Sequence, residues 1–274
     1  MTNNPYIDDI FEKKTKISYS SLDSRGQLKI ISILNFFQDT AAEHASDMGI
    51  SGFDLAKQNF AWVISSYQIK IIKNPQWNDE ILIKTWRIPF KNLYELRFFT
   101  IQDKNGTDMI EATGTWIMVK KENSRPVRLS RFIPDTPLCK NRINPVPSSC
   151  DTPGIKTQGM NQKLKLPEKI HCKLPFKVRM QDLDMNQHVN NAIYIEWAVE
   201  TLPEDFIGVY RPAQVDVSFH KPSFYGDTIL SSTEILKDPS APVTRHSIIR
   251  EKKDAPVELA RINITWAPIE HQLS

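Results

Sequence analysis

The chain has 274 residues, 40% of them hydrophobic and 24% charged, the balance of a globular protein with room for two domains. A net charge of +3 is too small to argue for a nucleic-acid partner, and no apolar stretch approaches the roughly 20 residues that span a bilayer. The polar, acidic start has neither the signal-peptide nor the Arg-rich transit pattern, and Cys139, Cys150 and Cys172 lack any CxxC spacing, so free thiols in a reducing cytoplasm are expected rather than disulfides or zinc.

The first half opens with a short strand, about Lys14 to Tyr19, and a polar turn, Leu22-Asp23-Ser24-Arg25-Gly26-Gln27-Leu28. Ile30, Leu34, Phe37, Ala41, Ala45 and Met48 then recur at spacings of three and four, and Gly49 sits where a helix would stop. Alternating segments follow. Tyr67, Ile69 and Ile71 share one face; Ile81, Ile83 and Thr85 resume after the turn at Trp77-Asn78-Asp79. Phe98 to Ile101 and Thr113 to Val119 complete a meander broken at Lys104-Asn105-Gly106. A long helix followed by such strands predicts an antiparallel sheet whose apolar face covers the helix.

Between Arg131 and Lys173, eight Lys and Arg face only Asp135, Asp151 and Glu168, a local excess of +5. Pro134, Pro137, Pro145, Pro147 and Pro153 break regular structure there, so residues 132–172 read as a linker. Its lysines either keep it solvated or form a docking surface for an acidic partner.

The second half repeats the order of the first. A strand at Phe176 to Met180 leads through a polar turn to a shorter helical pattern with Ala192, Ile195, Val199 and Leu202 on one face, ended near Pro203. Val215, Val217 and Phe219 alternate as Tyr67, Ile69 and Ile71 do. Tyr225-Gly226-Asp227 mirrors Trp77-Asn78-Asp79, and Ile264-Thr265-Trp266 mirrors Gly114-Thr115-Trp116. The chain is a tandem repeat of one α+β unit.

The two polar turns differ where it matters. Asp184-Met185-Asn186-Gln187-His188 lies under Asp23-Ser24-Arg25-Gly26-Gln27, so the aspartates coincide while Asn186 and His188 face Arg25 and Gln27. A carboxylate, an amide and an imidazole two residues apart on one turn can converge on a small volume, with a helix N-terminus beside them offering N–H groups to an oxyanion. Asp184 could attack an acyl carbonyl or activate water, His188 could orient the water or polarise the carbonyl, and Asn186 could hold the substrate. The alternative for Asp184 is an ordinary cap, and Asn190 and Asn191 read as turn and cap groups. Asp182, Asp184 and Asn186 also imitate an EF-hand start, but Gln187 stands where Gly is needed and Ile193 where Glu is needed. Trp116, Tyr194, Trp197 and Trp266 read as core, with acyl-chain lining as the alternative, and His44 as a satisfied histidine.

These residues resemble the acyl-acyl-carrier-protein thioesterases of plants and bacteria. The resemblance rests on the Asp184 run together with Leu34 to Ala41, Trp62-Val63-Ile64-Ser65, Asn74-Pro75-Gln76-Trp77-Asn78-Asp79, Thr85-Trp86 and Thr115-Trp116-Ile117-Met118, and extends from Phe11 to Trp266. It implies a tandem (double) hotdog fold: 1–131 a hotdog with a degenerate site and an acyl-chain channel, 132–172 a linker, and 173–274 a hotdog carrying the catalytic motif. It also implies Asp184, Asn186 and His188 as catalytic residues and acyl carrier protein as partner. Hydrolysis to free fatty acid in fatty acid biosynthesis would then need no cofactor and no metal. An acyl-coenzyme A thioesterase and a non-catalytic acyl-binding protein are the alternatives, and a homodimer is compatible with the sequence. One departure stands out. The family commonly carries a glutamate, followed by Cys or Ser, where this chain reads Lys221-Pro222-Ser223-Phe224, so proline occupies the glutamate's place.

Overall fold

The computed structural model describes residues 10–131, 163–238, 241–251 and 255–269. Most of the expected linker, with Cys139 and Cys150, lies outside them; Cys172 is a free thiol. The described residues pack as two compact units, the first over 10–28, 35–67 and 72–131, the second over the remainder, including 29–34 and 68–71.

In the first unit β1 (Phe11–Lys16) leads through a 3-10 turn to α1 (Ile30–Asp47) and the short α2 (Gly52–Lys57). Then come β2 (Phe60–Ile71), β3 (Glu80–Phe90), β4 (Tyr94–Gln102) and β5 (Asp108–Lys120), in sheet order β1-β3-β4-β5-β2. The second unit has β6 (Cys172–Lys177), a 3-10 turn, α3 (Asn191–Glu200), α4 (Glu204–Val209), β7 (Tyr210–Phe219), β8 (Thr228–Leu236), β9 (Val243–Arg250) and β10 (Val257–Pro268). Its order, β6-β8-β9-β10-β7, is that of the first unit strand for strand. Register repeats as well: Phe11 pairs with Thr85 and Lys16 with Glu80, as Cys172 pairs with Thr233 and Lys177 with Thr228. Each unit is a hotdog, a mainly antiparallel sheet around one principal helix.

The expected stripe of α1 is buried from Ile30 to Ala45, and Gly49 adopts φ +68°, where a side chain would be strained. Phe37 stacks on Phe99 at 4.6 Å, joining helix to sheet. Gly114 lies so close beneath Tyr67 that a Cβ there would sit 2.8 Å from the ring, which explains glycine in a strand interior. The expected edge strands lie three to four residues earlier than the sequence suggests. Ile17 and Val178 bond to Asp79 and Asp227 instead of continuing the ladder, and the chain then turns. The one-sided face expected for α3 is also wrong: Ala192, Ile193, Tyr194, Ile195, Trp197 and Ala198 are all buried, so the helix is enclosed nearly all round.

The two interiors solve polar burial differently. In the first unit Glu95 accepts from Arg87 Nη1 at 2.8 Å and from Arg97 Nη2 at 3.1 Å, and Arg97 Nη1 also meets His44 Nδ1 at 3.2 Å. All four side chains are buried, and burial lowers the pKa of Arg97 against the opposing pull of Glu95. In the second unit the buried His246 meets Thr233 and Thr244 hydroxyls at 2.8 Å through its two ring nitrogens, and Trp266 Nε1 donates to Thr244 at 2.9 Å. Burial pushes the His246 pKa down to about 3, so this network is neutral.

Candidate active site

The two polar turns are built on one hydrogen-bond frame. Leu22 bridges Leu28 as Leu183 bridges Val189. Asp23 N–H donates to Gln27 O at 2.8 Å, and Asp184 N–H to His188 O at 2.7 Å. Each aspartate then bends the chain with its own carboxylate. Asp184 Oδ1 accepts from the N–H of Asn186 at 2.8 Å and from that of His188 at 3.3 Å; Asp23 Oδ1 accepts from Arg25 and Gln27, each at 2.9 Å. This is the local geometry that Asp favours in turns. The tip residue is left-handed in both copies, Gly26 at φ +73° and Gln187 at φ +60°. A non-glycine residue there costs about 1 kcal/mol or more, a strain confined to the copy that keeps Asn and His.

Side chains separate the copies. Asp23 Oδ2 is held by Arg25, from Nε at 3.0 Å and Nη2 at 2.5 Å, so its carboxylate is neutralised by an ion pair. Gln27 Oε1 accepts from Asn74 Nδ2 at 2.7 Å. In the second copy Asp184 Oδ2, the Asn186 amide and both His188 ring nitrogens have no hydrogen-bond partner among the described residues. All three residues are part-exposed. The predicted trio therefore shares one turn, but its side chains make no direct hydrogen bond to one another. Their polar ends are open to solvent.

The helix N-terminus expected to serve an oxyanion is partly spent. Asn190 caps α3, its side chain accepting from Ala192 N–H at 3.0 Å, and Asn190 N–H donates to Asp182 O at 2.8 Å. The side chains of Asn186 and His188 remain available as donors. Neighbouring Asp182 is buried and binds Arg179 through its backbone N–H and its guanidinium, which stiffens the entry to the turn.

A second loop faces the turn. Val189 N–H donates to Ser223 O at 3.0 Å, and the fully buried Ser223 is gripped by Tyr194, hydroxyl to hydroxyl at 2.8 Å and through its own N–H to Tyr194 Oη at 3.0 Å. Ser223 is thus engaged with a phenol whose pKa burial raises. The Phe224 ring stands edge-on to His188, centroids 5.2 Å apart and planes at 82°. The sequence places Tyr194 in the core, with acyl-chain lining as the alternative, and does not single out Phe224. The signal was present in the repeat: Gln76 N–H donates to Asp79 as Phe224 N–H donates to Asp227, which sets Asn74 opposite Pro222.

Fold and turn together define a tandem-hotdog protein with one asymmetric polar site. Family models for the acyl-ACP thioesterase N-terminal and C-terminal domains match residues 8–135 and 167–268. The chain belongs to the acyl-ACP thioesterase family. An acyl-[acyl-carrier-protein] hydrolase of Cuphea viscosissima is 27% identical over 96% of this chain, and an oleoyl-acyl carrier protein thioesterase of Coriandrum sativum is 27% identical over 78%. The chain spans 64% and 59% of the lengths of these two plant relatives. Among solved structures, the 12:0-ACP thioesterase from Umbellularia californica superposes with a TM-score of 0.80 at 20% identity, covering 95% of each chain. An acyl-ACP thioesterase from Bacteroides thetaiotaomicron gives 0.73 at 20% identity, covering 95% of this chain and 99% of the other. These two likenesses establish the fold.

Proposed function

We propose that the protein hydrolyses acyl thioesters of acyl carrier protein to free fatty acid and holo-carrier protein, with Asp184, Asn186 and His188 as the reacting group and its helpers. What supports this reading is the contrast between the turns, in a chain of this family: the Asp23 carboxylate and Gln27 Oε1 are engaged by side chains in the first, whereas Asp184 Oδ2, the Asn186 amide and the His188 ring nitrogens are open in the second. Asp184 Oδ1 is fixed by backbone N–H groups, so Oδ2 is aimed and free to act. Acting as base, it takes a proton from water as the water oxygen bonds to the acyl carbon. The carbonyl oxygen becomes an oxyanion facing the Asn186 amide. The C–S bond then breaks, the carbonyl reforms and the departing thiolate takes up the proton.

Direct attack by Oδ2 would instead give a mixed anhydride that water opens. Single turnover in 18O-water can reveal the anhydride route. Incorporation of 18O into the Asp184 carboxylate can follow only from an anhydride opened at its Asp184 carbonyl.

The deciding experiment offers acyl-carrier proteins and acyl-coenzyme A of graded chain length and measures free thiol. Faster release from the carrier protein is expected. Preference for coenzyme A would reassign the substrate, and stoichiometric acyl retention without thiol release would mark a binding protein. Exposed Lys177 and Arg179 flank the turn and suit an acidic carrier surface. The Michaelis constant for acyl-carrier protein is therefore expected to rise with salt, because exposed charges are screened beyond about 8 Å at physiological ionic strength.

A further inference from the structure

We infer that Phe224 is a positioning residue for His188, performing with an aromatic contact what the first unit performs with a hydrogen bond. The inference rests on the reading of His188 as a reacting side chain. The duplicated frame makes position 27 the counterpart of 188, 74 of 222 and 76 of 224. In the first unit Asn74 Nδ2 restrains Gln27 from across the loop at 2.7 Å. The second unit has Pro222 in the place of Asn74, and proline offers no side-chain donor or acceptor.

Restraint comes instead from two residues further along. Phe224 meets the imidazole edge-on at 5.2 Å, within the range in which aromatic pairs prefer a T-shaped arrangement. The ring is itself held in place. Phe224 N–H donates to Asp227 Oδ2 at 2.9 Å, Arg250 Nη1 reaches the same oxygen at 2.9 Å, and the Arg250 guanidinium lies 5.8 Å from the ring centroid. The preceding residue is locked to α3 by Tyr194. An apolar wall of this kind orients the imidazole and consumes neither ring nitrogen, whereas a hydrogen bond from position 222 would occupy one. That accounts for a large, exposed phenylalanine beside a polar turn.

The test uses the full-length protein and acyl-carrier-protein substrate. His188→Ala is measured first: retained turnover would overturn both the site reading and this inference. With His188→Ala inactive, Phe224→Leu is expected to lower kcat roughly tenfold or more, because small misorientation of a reacting group is costly, while KM changes little. Phe224→Tyr should stay close to the parent. Pro222→Asn placed on Phe224→Leu should restore part of kcat by rebuilding the pairing of the first unit. NMR of labelled histidine should show one His188 ring environment in the parent and an averaged one in Phe224→Leu. An inactive His188→Ala beside a fully active Phe224→Leu would overturn the inference alone. So would a slow Phe224→Leu whose His188 signals are unchanged and whose kcat Pro222→Asn does not raise.

Discussion

The turns at Asp23 and Asp184 share a backbone and differ in what their side chains are free to do. In the first, Arg25 closes on the Asp23 carboxylate and Asn74 closes on Gln27 Oε1, so both acceptors are engaged inside the protein. In the second, a shorter amide replaces the guanidinium and proline replaces the asparagine. Asp184 Oδ2, the Asn186 amide and the His188 ring nitrogens are then left without a hydrogen-bond partner among the described residues, while Asp184 Oδ1 holds the turn. Duplication gave two identical scaffolds, and the chemistry is separated from the scaffold by a handful of side chains. The aspartate itself belongs to the scaffold in both.

The most severe way to break this comparison is Asp184→Asn. The asparagine Oδ1 can still accept from residues 186 and 188, so the turn should persist while thiol release falls by roughly 10³-fold or more. An unaltered melting temperature with lost turnover is the expected pair of readings; unchanged turnover would remove the carboxylate from the chemistry. His188→Ala and Asn186→Ala come next, each expected to slow release by about 10²-fold, close to 3 kcal/mol of barrier. Arg25→Asn, made as the mirror of Asn186, should produce no such loss.

Much of this arrangement is legible in the sequence. The paired Leu-Asp runs, the stripe from Ile30 to Ala45 and the matching turns at Asp79 and Asp227 exposed the duplication, because each unit follows its own hydrophobic period. The shared role of the two aspartates was not legible, since a carboxylate that folds a turn and one that activates water look alike in sequence. The buried ions of the first unit were hidden for another reason. Nothing in the sequence pattern singles out Arg87, Glu95 and Arg97; strand register sets Arg87 beside Arg97, Glu95 joins the two, and only Arg97 reaches His44 of α1. The enclosure of α3 also depends on what packs over it, which periodicity cannot show.

The two interiors extend the contrast to stability. His246 stays neutral in the folded state down to about pH 3, while an unfolded imidazole titrates near 6.5. The unfolded chain therefore binds the extra proton between those values, and stability is fully present above pH 6.5 and lost progressively as pH falls toward 3. Replacing His246 with Gln should flatten that part of the curve of unfolding free energy against pH. An unchanged slope would mean that the proton uptake lies elsewhere.

Two smaller perturbations sharpen the comparison further. Pro222→Glu should leave thiol release within the same order of magnitude, because the Asp184 turn does not depend on residue 222. A parent inert on every acyl thioester, with activity only in Pro222→Glu, would show that the turn is insufficient. Asp23→Asn should be the mildest of all, with unchanged rates and about 1 kcal/mol or less of stability lost with a part-exposed ion pair.

The grip of Tyr194 on Ser223 carries a consequence for motion. One phenol buried in α3 ties down the loop beside His188, and Val189 N–H closes the circuit back to the polar turn. That loop cannot swing as a lid without pulling a core hydroxyl out of its pocket. On the function proposed above, substrate and product would pass a fixed wall. Amide protons of Val189 and Ser223 should exchange with solvent only as slowly as the second unit opens as a whole, so the region around the chemistry belongs to the rigid end of the molecule's stability range.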